Sequence, residues 1–402
     1  MKKSLLAVAA IGAFASAAQA QSSVTVYGIL DTSFSGKSTS VPTSTAGAPQ
    51  GSNKVNTAAF IADAEQSSRL GFKGVEDLGG GMSAVFTIET GLTPASSQMS
   101  TLNNRQSFVG IGKKGLGVAA IGTQYTPIHV AFAATDPGGN NNTVGNVVRP
   151  TAGTAGGQSS ASSAYTISTT NTLTAQSDAF AGFKVNAQYT INAKDATQYS
   201  TVASTNVSNG GNTNFTGYGL GVNYTWQKLF VTAAYQSFKT EIDHAATALT
   251  AAIAATPGTT ITELSLPNTT DNQTYAGAVY DFGILKAYAN YINRKMTNNL
   301  NSNEYLKRTA QQIGVRANLT PKIETWASGG TGKFSAFGVS SPSANFNAWQ
   351  LGSNYWLSKR TNLYAIYGQT LTSSASTTSS LNIAAGGGTK ASQYAVGIRH
   401  TF

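Results

Sequence analysis

Runs of about ten residues in which every second side chain is apolar recur along the whole of this 402-residue chain. In GYGLGVNYTWQ (217–227), Tyr218, Leu220, Val222, Tyr224 and Trp226 share one face, and glycine, Asn223, Thr225 and Gln227 the other. FKVNAQYTIN (183–192), AWQLGSNYWL (348–357), SVTVYGILD (23–31) and the closing QYAVGIRHTF (393–402) repeat the pattern. A period of two is that of a strand with two unlike faces; a helix would need 3.6, which none of these runs shows. About ten residues is also the length that crosses a bilayer as a tilted strand.

Composition narrows the choice. Only 10% of residues are charged, against roughly 25% in ordinary globular chains. The chain has 17 Tyr, 17 Phe and 4 Trp, and no cysteine. Mean hydropathy is −0.12, and no stretch after residue 20 approaches the roughly 18 apolar residues of a membrane helix. The opening MKKSLLAVAAIGAFASAAQA, with two lysines, a short apolar run and a small-residue ending, reads as an export signal cleaved after Ala20. Losing Lys2 and Lys3 leaves 24 basic against 16 acidic residues, a charge of about +8 on one domain spanning 21–402. Few charges, many aromatics and no membrane helix are hard to reconcile with a water-soluble globule. They fit an all-β, antiparallel transmembrane β-barrel, in which only every second residue meets lipid.

The connections decide the strand number. EDLGGG (76–81), KKG (113–115), FAG (180–182), QK (227–228), DFG (281–283), TP (320–321) and SKR (358–360) are tight. Between them lie long segments at 36–66, 93–103, 127–168, 194–214, 241–272, 296–304, 335–344 and 373–391. Seven short turns alternating with eight long loops imply 16 strands, the short turns periplasmic and the long loops extracellular. The alanine-rich 245–258 reads as an extracellular excursion, with a short helix as one option. A closed barrel also explains the two-faced last strand. It pairs with the first so that no edge is left in lipid, and Phe402 sits at the interface.

Chemistry-bearing motifs are weak. GIGKKG (110–115) matches a dinucleotide fingerprint literally, but a strand rather than a helix follows it. SGGTGKF (328–334) has Phe334 where a phosphate loop needs Ser or Thr. His129, His244 and His400 lack partners at metal-ligand spacing, and there is no G-x-S-x-G elbow. No catalytic residue, metal, cofactor or nucleic-acid partner is expected. The charges on the inner faces say more. Arg69 and Lys73 share a face with Gly71, while Leu70, Phe72 and Val75 face lipid or flank the turn. Glu89 points opposite to Phe86 and Ile88; Arg399 and Asp31 fall inward, and Arg105 fits the wall though its strand alternates less cleanly. Opposed charges across a pore sort ions.

These residues carry a resemblance. QSSVTVYGILD, SRLGFKGVEDLGGGMSAVFTIETG, NRQSFVGIG with LGVAAIGTQYTP, and YAVGIRHTF resemble the general trimeric porins of Gram-negative outer membranes, in the branch typical of β-proteobacteria. The resemblance implies a sixteen-stranded barrel in homotrimers, each subunit with its own water-filled pore, and a third long loop, here 127–168, folded into the lumen. It implies wall arginines at Arg69 and Arg105, with Lys73, on one side of the pore, facing acids on the other side, Glu89 on the nearby wall and Asp136 on the loop. It further implies that Phe402 is the signal read by the barrel assembly machinery, in a membrane of lipid and lipopolysaccharide. The chain departs from the family at Gly122-Thr123-Gln124, where Gly-Arg-Gln is common, and at STTNTLTAQ (168–176), which lacks the usual arginine. A constriction less basic or wider than usual is therefore expected, with Arg149 compensating. The expected function is passive diffusion of small hydrophilic solutes and ions with a mild anion preference. A substrate-selective channel, a secreted adhesin and a barrel enzyme are the alternatives.

Overall fold

In the computed structural model, the described residues are 23–43, 51–96, 103–150, 165–199, 209–242, 268–299, 302–303, 305–336, 343–373 and 389–402. The stretch 1–20, expected to be an export signal, and the stretch 245–258 lie outside them. The strands are β1 Ser23–Thr43, β2 Gly51–Ala62, β3 Arg69–Gly79, β4 Met82–Gly91, β5 Asn103–Lys113, β6 Gly117–Tyr125, β7 Ser168–Ser177, β8 Phe183–Tyr199 and β9 Asn209–Trp226. They continue as β10 Leu229–Ile242, β11 Thr269–Asp281, β12 Leu285–Asn298, β13 Tyr305–Thr320, β14 Ile323–Ala336, β15 Ser343–Trp356, β16 Thr361–Thr372 and β17 Thr389–Thr401. Among the described residues between β6 and β7 there is one helix, α1 Pro127–Thr135.

Neighbouring strands all pair antiparallel, and the sheet closes on itself through β1 and β17, with Ile29 opposite Thr401 and Ser40 opposite Lys390. The ladder runs to the final residue. Gly28 N donates to Phe402 O and Phe402 N to Gly28 O, both at 3.1 Å. The first and last strands are thus joined along the seam up to Phe402, leaving no open edge, the condition for a sheet to sit in hydrocarbon.

The seventeen segments make sixteen barrel strands, because β2 and β3 are two parts of one. Thr32 pairs with Ala62 and Ile29 with Arg69. Leu30 and Asp31 therefore face the excursion 63–68, which leaves the sheet and enters the lumen. This corrects the expected first long loop at 36–66: β1 runs on to Thr43 and β2 starts at Gly51. The Ser/Thr-rich continuation pairs as a hairpin arm although it lacks the apolar alternation of a lipid-facing strand.

Outward faces carry the large apolar side chains, among them Val24, Val26, Ile121, Leu220, Ile313 and Val396, all exposed on the isolated chain. Aromatics gather in two belts. Phe180, Trp226, Phe282, Tyr355 and Phe402 lie toward the short turns, and Tyr218, Tyr291, Trp349 and Tyr394 toward the long loops, the bilayer-interface positions. The tight turns stand where expected. Gly79, Gly80 and Gly81 have φ of 81°, 59° and 76°, a left-handed run that glycine adopts without a Cβ penalty. Val75, expected to face lipid or flank the turn, stands beside the turn on the Lys73 face and lines the lumen with Thr25.

Candidate functional site: a lumen narrowed by the inserted third loop

Thr126 starts α1. Its side chain accepts from His129 N at 3.3 Å, and Pro127 occupies the first turn, a cap and a preset φ together. Asp136 before Pro137 ends it in extended geometry, φ −86° and ψ 121°. Ile128, Ala131, Phe132 and Thr135, spaced for one helical face, are buried. They pack with Val147, Val148 and Tyr165 of the same loop on wall residues Tyr275, Ile292 and Phe346. Burying Ile128 and Phe132 contributes roughly 2–3 kcal/mol each. Part of the inner wall is therefore apolar, and the loop covers it.

Inward-facing glutamines tie the loop to the wall. Gln236 Oε1 accepts from Ile128 N at 3.3 Å, and Gln273 Oε1 accepts from Thr166 N at 2.9 Å. Gln312 Nε2 donates to Asp136 Oδ1 at 3.1 Å. Gln350 Nε2 donates to Thr143 O at 2.5 Å and Val144 O at 2.9 Å, and Gln393 Oε1 accepts from Val144 N at 3.2 Å. A glutamine both donates and accepts, so it can satisfy irregular backbone that no strand pairs. Glycines let the loop approach closely: a Cβ at Gly277 would lie 2.6 Å from Thr135 Oγ1, and one at Gly368 would overlap Val144 O. The loop then reaches the excursion, where Asn142 N donates to Ala64 O at 3.0 Å and Gln66 Nε2 to Gly139 O at 2.5 Å.

The opposite wall carries the arginines. Arg105 Nε lies 2.7 Å from Glu89 Oε1, and its Nη2 donates to Tyr125 OH at 2.8 Å. Arg69 Nη1 is 3.8 Å from the same carboxylate oxygen, and its Nη2 donates to Gln66 Oε1 at 3.1 Å. Tyr27 OH donates to Glu89 Oε2 at 3.1 Å. Strict alternation would turn Arg105 outward with Val109 and Ile111. A bulge intervenes: Glu89 pairs with Gln106 and Thr90 with Asn104, leaving Arg105 as the extra residue. Such a bulge re-aims a side chain. Lys73, exposed, lies with its Nζ 5.3 Å from the Tyr27 ring centroid.

The structure thus brings together Arg69, Glu89, Arg105 and Lys73, but not the remaining charges singled out from sequence. Glu89 does not face the arginines across the pore; it lies between them on one wall. Asp31 is 0% exposed. Its Oδ2 accepts from Glu65 N at 2.8 Å and Gln66 N at 2.6 Å, and its Oδ1 from Tyr364 OH, so it braces the excursion instead of lining the pore. Asp136 is 4% exposed on the far wall, accepting from Asn140 N at 2.7 Å and Asn146 Nδ2 at 2.9 Å. Burial pushes its carboxyl above the usual range, opposed by these donors. Arg149 braces the loop through Asn142 Oδ1, 3.2 Å from both Nη atoms. Arg399 pairs with Glu65 at 3.4 Å, a residue the sequence did not single out. Also missed were Arg316 and Glu324, paired at 3.0 Å beside the loop. Their inward parity is readable, but both stand next to a turn where alternation is short. His129 is buried, with Nδ1 3.1 Å from Tyr165 OH; desolvation, then Arg149, Arg105 and Arg69, push its pKa down to about 3.

A sealed strand cylinder with an apolar exterior, and a charged lumen narrowed by an inserted loop, defines a membrane channel. Residues 7–376 match the family model of Gram-negative porins, and the chain belongs to that family. An outer membrane porin protein of Bordetella pertussis is 27% identical over 423 aligned positions covering 100% of both chains. An anion-selective porin from Comamonas acidovorans shares the fold with a TM-score of 0.66 at 22% identity, over 95% of this chain and 100% of that one. The trimer form of an outer membrane protein of Vibrio cholerae gives 0.59 at 15% identity, over 95% and 99%. The protein is an outer-membrane channel for passive diffusion of small hydrophilic solutes and ions.

Proposed function

We propose that this pore passes anions in mild preference to cations, and that Arg69, Arg105 and Lys73 set the preference. The observation carrying it is the placement of Glu89, 4% exposed and held by two arginines and two tyrosines. Two carboxylates, Glu89 and Asp63, stand near the two guanidiniums, and Lys73, beside Tyr27 on the same wall, makes the cations three against two. Asp31 and Asp136 are turned into the protein, so the arginine wall presents a positive surplus to the water. A unit charge about 10 Å away in water changes an ion's energy by about 0.4 kcal/mol, or about twofold, and salt screens it further. The preference is therefore modest and largest at low ionic strength. Reversal potentials of purified protein in planar bilayers under a KCl gradient test it: a chloride-favouring potential that shrinks as salt rises supports the reading, and a potassium-favouring one refutes it.

The same reading includes a homotrimer, supported by the trimer form of the Vibrio cholerae protein and by an aromatic cluster on the outer face at the seam. There Phe34 meets Phe60 at 5.5 Å and Tyr394 at 6.2 Å between centroids. It also includes cleavage of 1–20, leaving one barrel domain at 21–402, and recognition of Phe402 by the assembly machinery. A mass near three chains in mild detergent and an amino terminus at Gln21 are the results expected.

A further inference from the structure

On β12 and β13 the inward face is set by Ile292, Arg294, Met296, Leu306, Arg308 and Ala310, all buried. The residues between them, Lys295 and Lys307, therefore point out of the barrel, directly opposite each other in register. Lys333 of β14 points the same way from the place opposite Thr309, diagonal to Lys307. Three ammonium groups thus share one patch of outer wall. Among the described residues none of the three joins an ion pair; Lys295 lies 4.8 Å from the Tyr305 ring centroid. Like charges facing each other across a strand pair destabilise it, so this arrangement calls for an anion from outside the chain.

Height on the barrel identifies the source. Lys295 stands four residues beyond Tyr291 of the loop-side aromatic belt, about 13 Å along the strand at about 3.3 Å per residue. That is the headgroup level of the outer leaflet, above the hydrocarbon. Directly below, Lys333, Gln311, Asn345, Asn347, Tyr291 and Leu371 line a groove of about 520 Å³ on the same outer face. At the height of Tyr291 its floor runs across the strands through Gln311, Thr331, Asn347 and Leu371, opposite one another in register.

We infer that this patch binds the phosphate of an outer-leaflet phosphorylated glycolipid, with Lys295, Lys307 and Lys333 around the phosphate and the sugar in the groove. The inference rests on the outer-membrane location but not on the ion preference of the lumen.

The test uses refolded full-length protein in detergent, titrated with bisphosphorylated lipid A and followed by native mass spectrometry, with the triple variant K295S/K307S/K333S alongside. Retained heat-resistant migration in SDS gels shows that the variant barrel is folded. Lipid A is expected to bind wild type at least tenfold more tightly than the triple variant, and dephosphorylated lipid A to bind both equally weakly. A Lys359→Ser control at the opposite end of the barrel should bind like wild type. Equal binding of lipid A to wild type and the triple variant, or of both lipids to wild type, overturns the proposal. So does full displacement by millimolar inorganic phosphate, which would mark a free-phosphate site. Single-channel conductance on the same preparations separates this outcome from any failure of the channel reading, since the triple variant should conduct as wild type does.

Discussion

The 2.7 Å contact between Arg105 Nε and Glu89 Oε1 exists because a one-residue bulge in β5 turns Arg105 from the lipid side to the lumen. Without the bulge a guanidinium would face hydrocarbon and Glu89 would lose its nearest charged partner. The surplus positive charge on this wall depends on that irregularity.

Arg105→Ala and Arg69→Ala should each lower the chloride-to-potassium permeability ratio by about two- to fourfold at low salt, since removing one charge raises the barrier for one ion and lowers it for the other. Reversal potentials in planar bilayers measure this directly. Ratios unchanged in both variants would remove these arginines from the selectivity wall.

Glu89→Gln should act in the opposite direction. The amide keeps the shape, and its one oxygen can still accept from Arg105 while its NH2 donates toward Tyr27 OH, but Asp63 is then the one carboxylate left near the two guanidiniums. The chloride preference should rise about twofold or more, and a fall would contradict the charge accounting.

Loop anchoring should control channel steadiness. Gln350→Leu leaves the Thr143 and Val144 carbonyls without their donor, a loss of roughly 1–3 kcal/mol for each buried group. Gly368→Val drives a side chain into the Val144 carbonyl. Both should increase open-channel noise and closure frequency in single-channel traces, with β-sheet circular dichroism unchanged.

Acid should loosen the loop through His129. Docking depresses its pKa to about 3, whereas a released loop would titrate near 6.5. Below pH 6.5 the released state binds a proton that the docked state does not, so docking weakens as pH falls from about 6.5 toward 3. By pH 5 the loss is about 2 kcal/mol. Asp136, whose pKa is raised by burial, works the other way, binding its proton more readily when docked. His129→Phe isolates the histidine contribution: its closure frequency should rise less than that of wild type between pH 7 and pH 5. Equal acid responses would show that His129 is not the sensor.

Deleting Phe402 removes the last pair of ladder bonds, to Gly28, and a ring that lies over Gly28. The yield of heat-resistant barrel in outer-membrane fractions should fall severalfold, and Phe402→Tyr should restore most of it.

Much of this was legible along the chain, for a physical reason. A membrane-spanning strand must put apolar atoms outward and polar or small ones inward at every second residue. The pattern therefore showed the lipid faces of β8, β9, β15 and β17, the seven turns, the sixteen strands and the inward aim of Arg69, Lys73 and Arg399. What it could not show lay where the chain breaks that rule. The excursion at 63–68 consumes Asp31 and brings in Glu65. The loop carries Asp136 to the wall away from the arginines and hides it among amide donors. Arg105 was expected on the inner wall and stands there, but the bulge that turns it inward is not shown by strand parity. Parity is a local property, set by each strand's own two neighbours. Whether an inward charge meets water or another side chain depends on what the rest of the chain lays over it, and only the closed barrel with its inserted loop decides that.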